Sequence, residues 1–391
     1  MAGKRSIAVV TVARSDFGLY EPLLERIRAN PALELRLMVT GAHFAQEFGP
    51  TVREIEAKGY EYERGLEMRL DSDSPQSVAR SLGVGMQAFA QAFAARRPDF
   101  AMVLGDRIEM LCGAVAAIPF NIPLVHLYGG KVTEGASDEL TRHALTKMSH
   151  LHFVSSRKHA SRVLQMGEEP WRVFNFGSPG LDRLHMYPRA SRDDVCRQVG
   201  LDATRPFLLV TFHPVTLEGH DRLAQVTALL EALAGYNGQI VMTYPNADPG
   251  YSAIIESFEA FAASHAKRVR LLKNAGARLY FDLMACAVAM VGNSSSGIGE
   301  APSFELPVVN IGTRQDGFER AANVIDVGYQ ADEIEAAIRR AVGTEFRSSL
   351  KGLKNPYGDG RSSERITETL SSIALDDRIL RKKFIDLPPQ S

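Results

Sequence analysis

Ser6-Ile7-Ala8-Val9-Val10-Thr11-Val12-Ala13 runs straight into Arg14-Ser15-Asp16-Phe17-Gly18 and then into the amphipathic stretch Leu19–Ala29. A short β-branched segment is followed at once by a longer segment of helical period. The same order recurs along the chain. Strands are expected at Glu34–Thr40, Phe100–Leu104, Leu124–Leu127, His152–Val154 and Val173–Phe176, and the amphipathic stretches Pro75–Ala95 and Ser137–Met148 lie between some of them. A second series follows the break Gly177-Ser178-Pro179-Gly180, with strands at Phe207–Phe212, Gln239–Tyr244, Val269–Leu272, Val288–Gly292 and Val308–Ile311. Strand-then-helix repetition gives parallel sheets covered by helices on both faces, so the fold class is α/β with two doubly wound, Rossmann-like domains. The glycine–proline break sets their expected limits at residues 1–178 and 179–361. The helical segment Ser362–Ile373 and the basic tail Arg378–Phe384, within residues 362–391, are expected to pack back on the first domain. Two such sheets facing each other place a ligand in the interdomain crevice, outside the carboxyl ends of the strands.

The 391 residues exceed the usual span of one hydrophobic core, which agrees with two domains. Forty-five basic against 46 acidic residues leave a formal charge of -1 and no long run of one sign. That balance excludes a nucleic-acid footprint and a polybasic membrane anchor, and leaves small molecules as partners. Cys112, Cys196 and Cys286 are far apart, with neither disulfide-framework nor metal spacing. Met1-Ala2-Gly3-Lys4-Arg5 leads into an apolar stretch too short for a signal peptide, and no segment approaches the roughly 20 apolar residues of a membrane span. The expectation is a soluble, cytoplasmic protein. Gly83-Val84-Gly85-Met86-Gln87-Ala88 matches a dinucleotide-binding string but lies inside a helical pattern, where that string has no phosphate to meet.

Motifs that follow strands carry the chemistry. Arg14 and Asp16 offer a guanidinium and a carboxylate to a diphosphate and a sugar hydroxyl, or form a helix cap beside a surface arginine. Gly105-Asp106-Arg107 ends another strand, with Asp106 as an acid/base group or an N-cap. The densest cluster is His126-Leu127-Tyr128-Gly129-Gly130-Lys131-Val132-Thr133-Glu134-Gly135-Ala136-Ser137-Asp138-Glu139, followed by Arg142-His143-Ala144-Leu145-Thr146-Lys147. So many ionisable groups on a glycine turn are costly to bury unless they pair or act on a ligand. Ser137 or Asp138 also suits a cap for the following helix, and Arg142 stands one turn beyond Asp138, at ion-pair spacing. In the second half, His213 closes a strand, and Asn246 in Tyr244-Pro245-Asn246-Ala247-Asp248 reaches a phosphate or makes an Asx turn. Gly292-Asn293-Ser294-Ser295-Ser296-Gly297-Ile298-Gly299-Glu300 puts small residues before a helix, where N–H groups and hydroxyls suit a phosphate. Glu300 suits a ribose diol.

Taken in order, Arg14-Ser15-Asp16, Gly105-Asp106-Arg107, His126 to Lys147, His213-Pro214-Val215-Thr216, Asn293-Ser294-Ser295, Glu300, Gly312-Thr313-Arg314-Gln315 and Asn355-Pro356-Tyr357-Gly358-Asp359-Gly360 resemble the hydrolysing UDP-N-acetylglucosamine 2-epimerases of sialic-acid and legionaminic-acid precursor pathways. The resemblance covers nearly the whole chain. It implies a GT-B architecture, with UDP held mainly by the second domain and the sugar by the first. It also implies the reaction: the C2 proton is removed, UDP leaves C1 by anti elimination, and water adds to the resulting 2-acetamidoglycal with C2 inverted. That chemistry needs no cofactor and no metal, and charged groups must stabilise the leaving diphosphate. By the resemblance Asp106 and Asp138 are the acid/base residues, and His213 with Arg14 supports the phosphates. Ser294, Ser295 and Asn246 are then diphosphate ligands, Glu300 the ribose ligand, and Arg314 lies near the nucleotide. A homodimer or homotetramer is expected.

Two positions depart from the family pattern. Where members carry Glu or His this chain has Tyr128, and where they commonly carry a second Glu it has Lys131. A phenol with an ordinary pKa of about 10 donates a proton but is a poor base near neutrality. Lys131 in place of an acid changes the local charge by about two units, and an ammonium there is expected near Asp106 and Asp138. A GT-B glycosyltransferase and a catalytically weakened nucleotide-sugar-binding homologue therefore stay open beside the epimerase, as do UDP against GDP and simple against diacetamido or acidic sugars.

Overall fold

The structure is a computed structural model that describes residues 3–44, 51–66, 68, 74–132, 138–215, 222–246 and 250–386. Residues 133–137, with the capping candidate Ser137, lie outside the described residues, as do Thr216, Ala247 and Asp248. Packing divides the chain into Met1–Met186 with Tyr357–Ser391, and Tyr187–Pro356. This division falls beyond the Gly177–Gly180 break because the turn Pro179–His185 packs on the helix Arg14–Ala29.

In the first unit the described strands are β1 (Arg5–Thr11), β2 (Leu33–Val39), β3 (Phe100–Leu104), β4 (Leu124–Leu127), β5 (Leu151–Val154) and β6 (Val173–Asn175), all parallel, in the order β2-β1-β3-β4-β5-β6. Every side chain of β3, β4 and β5 is buried, as expected of a parallel sheet covered on both faces. The sequence alternates strand and helix, so each chain reversal is made by a helix such as Pro75–Ala95 or Asp138–Met148. Gly85 lies inside Pro75–Ala95, and a β-carbon on it would stand 2.7 Å from Met68 Sδ. Close packing, not phosphate binding, explains that glycine string.

The helix Ser362–Ser372 packs on Arg14–Ala29, and the Asp182 carboxylate accepts from its Ser362 and Ser363 amides at 2.9 and 2.5 Å. A carboxylate at a helix N-terminus satisfies donors that the helix itself cannot. Further on, the fully buried Arg172 donates to the carbonyls of Arg378, Ile379 and Arg381, while buried Glu168 accepts from Lys147, His152 and Lys382. The basic tail is thus tied into the first unit.

In the second unit the described strands are β7 (Phe207–Thr211), β8 (Gln239–Thr243), β9 (Val269–Leu272), β10 (Ala289–Gly292), β11 (Val308–Ile311) and β12 (Val324–Val327), parallel, in the order β12-β11-β10-β7-β8-β9. The strand β12 adds to the expected series. Its four residues include the exposed Asp326 and only Ile325 of them is buried, so it lacks a continuous apolar run. Among the described residues no helix is long and apolar enough to cross a membrane.

Both sheets reverse their strand order once: between β1 and β3 in the first, and between β7 and β10 in the second. Ligands of such sheets bind outside the carboxyl ends at that reversal. Asp16 and Asp106 follow β1 and β3; His213 and Ser294 follow β7 and β10.

Candidate functional site

At the reversal in the first unit a cavity of about 930 Å³ is lined by Asp16, Asp106, Arg107, Tyr128, Lys131 and Asp138, among others. Chain order scatters these residues, but the sheet order β1-β3-β4 sets their strand ends side by side. Asp16 is 4% exposed, and its Oδ2 accepts from the Ala13 and Val12 amides at 3.1 and 3.4 Å. It caps the helix and faces the cavity at once. Burial pushes its pKa up to about 6, against the opposing charge of Arg107 and its own hydrogen bonds.

Asp106 receives the guanidinium of Arg142, which also bonds Glu139 and donates to the Lys131 carbonyl at 3.0 Å. The Arg142 side chain is 1% exposed. Helical spacing pointed to Asp138 as its partner, yet the guanidinium reaches across to the end of β3. One arginine therefore fixes the Asp138–Met148 helix, the β3 end and the glycine turn together. Asp138 opens that helix and is exposed toward the cavity it lines. His126, on β4, donates from Nε2 to the Gly105 carbonyl at 2.8 Å, and burial lowers its pKa to about 4. It is a neutral brace for the Gly105–Arg107 turn.

Tyr128 has φ of 65°, a left-handed conformation that is costly for a bulky residue and that gathers at functional sites. Its hydroxyl lies 2.6 Å from Ser178 Oγ and accepts from the Gly180 amide at 3.3 Å. The Lys131 ammonium lies 4.2 Å from the centre of the Tyr128 ring. The expected proximity of Lys131 to Asp106 and Asp138 holds in that all three line the cavity, but Asp106 takes its cation from Arg142. Arg14 is placed elsewhere: its side chain is 65% exposed and bonds Glu54 at 3.2 Å. Arg107 is the guanidinium on the cavity wall.

In the second unit His213 is buried, and its backbone exchanges two hydrogen bonds with the Asn293 side chain, at 2.7 and 2.9 Å. The Asn246 amide donates to His213 Nδ1 at 3.0 Å, so the neutral ring carries its proton on Nε2. Burial, with the Arg314 charge second, lowers the His213 pKa to about 4 and keeps the ring neutral. Gln315 and Arg314 both donate to the Asn293 carbonyl, at 2.8 and 3.3 Å. Asn293 thus joins the ends of β7, β10 and β11. At Gly292, φ is 136° and a β-carbon would stand 2.0 Å from the Thr211 carbonyl oxygen, so only glycine lets β10 turn here.

Ser294 is buried and its Oγ lies 2.7 Å from Ser296 Oγ, which continues through Tyr280 to Thr211 and Thr243. Ser295 is exposed. The helix after it is the single turn Ser296–Gly299, with Glu300 at its C-cap. A one-turn helix has little macrodipole, so an anion here would be held by local N–H and O–H groups. Sequence reasoning gave Arg107, Asn293 and Gln315 no separate role, and gave Arg142 only an intrahelical ion pair with Asp138. Their signal was membership of the same quoted motifs; their partners required the sheet order.

A family model described as UDP-N-acetylglucosamine 2-epimerase matches residues 25–371. The chain is 38% identical to UDP-N,N'-diacetylbacillosamine 2-epimerase (hydrolyzing) of Legionella pneumophila, over 97% of this chain and 98% of that protein. It is 37% identical to GDP/UDP-N,N'-diacetylbacillosamine 2-epimerase (hydrolyzing) of Campylobacter jejuni, over 98% and 100%. Among solved structures, UDP-GlcNAc 2-epimerase from Neisseria meningitidis bound to UDP-GlcNAc superposes with a TM-score of 0.76 at 18% identity, covering 93% of this chain and 99% of that one. The fold is GT-B-like, with two Rossmann-like units.

Proposed function

The chain belongs to the UDP-N-acetylglucosamine 2-epimerase family, and from that premise we propose that it is a hydrolysing epimerase that converts a UDP-linked 2-acetamido sugar into UDP and the free sugar inverted at C2. The observation that carries the chemistry is one cavity, at a strand-order reversal, lined by Asp16, Asp106 and Asp138. Elimination needs a base for the C2 proton, and hydration needs an acid to return a proton from the other face. Asp106 and Asp138 are assigned these transfers. Asp16, with its pKa raised to about 6, is a third carboxyl able to exchange protons near neutrality. Tyr128 is assigned as a hydrogen-bonded wall, Arg107 is added as the guanidinium of this cavity, and Arg14 keeps its assignment to the phosphates with His213.

In the second unit the neutral His213, with its Nε2–H, is assigned to the diphosphate together with Ser294, Ser295 and Asn246. Glu300 is assigned to the ribose and Arg314 to the nucleotide's surroundings. A diacetamido-trideoxy sugar is the first substrate to test, because the two relatives at 37–38% identity carry that sugar in their names. UDP-N-acetylglucosamine is the second. The product would feed formation of acidic nine-carbon sugars in the cytoplasm, and the enzyme would act as a homodimer or homotetramer. Family membership gives no support to a glycosyltransferase or a non-catalytic binder.

Release of UDP without any added acceptor tests the reading directly, and its absence with every nucleotide amino sugar would overturn it. Asp138→Asn keeps size while removing charge at an exposed position, so turnover should fall by about 100-fold or more at an unchanged melting temperature. Asp106→Asn should lose as much turnover and some stability, since it also strips Arg142 of a partner. Near-normal turnover in both variants would remove them from the chemistry. For the nucleotide, Glu300→Ala should weaken UDP binding by about tenfold in calorimetry, the loss of one hydrogen bond to a charged group. Unchanged affinity would take Glu300 out of the site.

A further inference from the structure

At the amino ends of the second sheet's strands, the residues that precede β7, β8 and β10 line an open cavity of about 600 Å³ with the helices Arg222–Ala234, Ala331–Val342 and Thr344–Ser349. This size is within the range of small-molecule sites. Pro206, Ala232, Val288, Ile338 and Val342 give it an apolar lining. Tyr236 adds an aromatic wall, and its ring leaves no space for a side chain at Gly238, where a β-carbon would stand 2.4 Å from it. The charged groups on the lining are Arg205, Arg339, Arg347 and Glu335. Three guanidiniums against one carboxylate leave two positive charges in excess. Glu335 pairs with Arg339, and Arg205 is braced by its bond to the Asn237 carbonyl at 3.1 Å.

We infer that this cavity binds a phosphate monoester with a flat apolar body, the dianion meeting the arginines and the ring lying on the apolar lining. The excess of two positive charges matches a dianion, and guanidinium geometry suits phosphate oxygens. The site is distinct from the one assigned to the nucleotide. It lies at the amino ends of β7 and β10, whereas His213 and Ser294 follow their carboxyl ends. Strands of this length hold the two about 15 Å apart.

Phenyl phosphate is the probe, titrated into the full chain while backbone amide resonances are followed by NMR. The amides of Gly235, Asn237, Gly238 and Gly343 should shift saturably. Inorganic phosphate, phenol and benzoate, each lacking the ring or the double charge, should bind at least about tenfold more weakly. Arg339→Gln with Arg347→Gln should weaken phenyl phosphate by a similar factor. Both side chains are on the exposed helix faces, so spectra elsewhere should stay unchanged. The inference fails if those amides do not move up to about 10 mM, a range that covers weak site binding. It also fails if the double variant binds equally well, or if phenol matches phenyl phosphate.

Discussion

Arg142→Met should cut turnover by at least about 100-fold and lower stability by about 3 kcal/mol, the low end for breaking a buried ion pair. The guanidinium is buried and holds Asp106, Glu139 and the Lys131 carbonyl at once. Methionine fills much of the same space but leaves two carboxylates without their cation. Asp106 is 29% exposed and Glu139 22%, so water recovers part of the lost solvation and keeps the stability loss from being larger. Turnover is hit harder, because the helix that carries Asp138 and the turn that carries Lys131 lose their common tie. Arg142→Lys should fall between the two, since an ammonium is a point charge without the forked donors. Denaturant unfolding and UDP release measure both effects. Turnover within tenfold of the parent would show that Arg142 is a structural ion pair only.

Acid should unfold the first unit steeply between about pH 6.5 and 4. Burial lowers the pKa of His43, His126 and His150 to about 4 and of His159 to about 3, with nearby cations acting in the same direction on each. In the second unit His213 is lowered to about 4. An unfolded imidazole titrates near 6.5, so below that pH the unfolded chain binds protons that the native state refuses. Stability is therefore complete above pH 6.5 and is lost as pH falls toward the native values. Each histidine contributes up to about 1.4 kcal/mol per pH unit in that window. Asp16 works the other way, since its raised pKa of about 6 lets the native state hold a proton there. With that offset the first unit's four histidines still give a slope on the order of 4 kcal/mol per pH unit, enough to exhaust ordinary stability near pH 5. Trp171, the single tryptophan, lies in this unit and reports it by fluorescence. A flat Trp171 signal from pH 7 to 4.5 would contradict the burial of these rings.

Much of the fold was legible because parallel strands buried on both faces read as apolar runs, as at Phe100–Leu104 and Phe207–Thr211. The strand β12 was not, since its Asp326 accepts from Asn310 and Arg320 and so breaks the run. The helix after β1 begins at Arg14, earlier than the apolar periodicity indicates, because Asp16 supplies the cap from inside the first turn. For the site, the motifs could be found but not their pairings. Asp106 and Arg142 are 36 residues apart, and only the placement of β3 beside β4 brings them together. The left-handed backbone of Tyr128 had no signal at all, since a tyrosine gives no hint of positive φ. The same limit applies to Arg14 and Arg107. Both follow strands in similar motifs, and side-chain direction alone sends one to Glu54 and the other to the cavity.

A hydrolysing epimerase removes and replaces the C2 proton of a nucleotide sugar while expelling UDP. Incubation in heavy water with UDP-linked N-acetylglucosamine and its diacetamido-trideoxy analogue, followed by NMR, tests it most directly. Free UDP and a reducing sugar that carries deuterium at C2 in the inverted configuration are expected from at least one of the two. Release of UDP with a sugar that keeps its C2 proton and its configuration would contradict epimerisation, because simple hydrolysis at C1 needs no base toward C2.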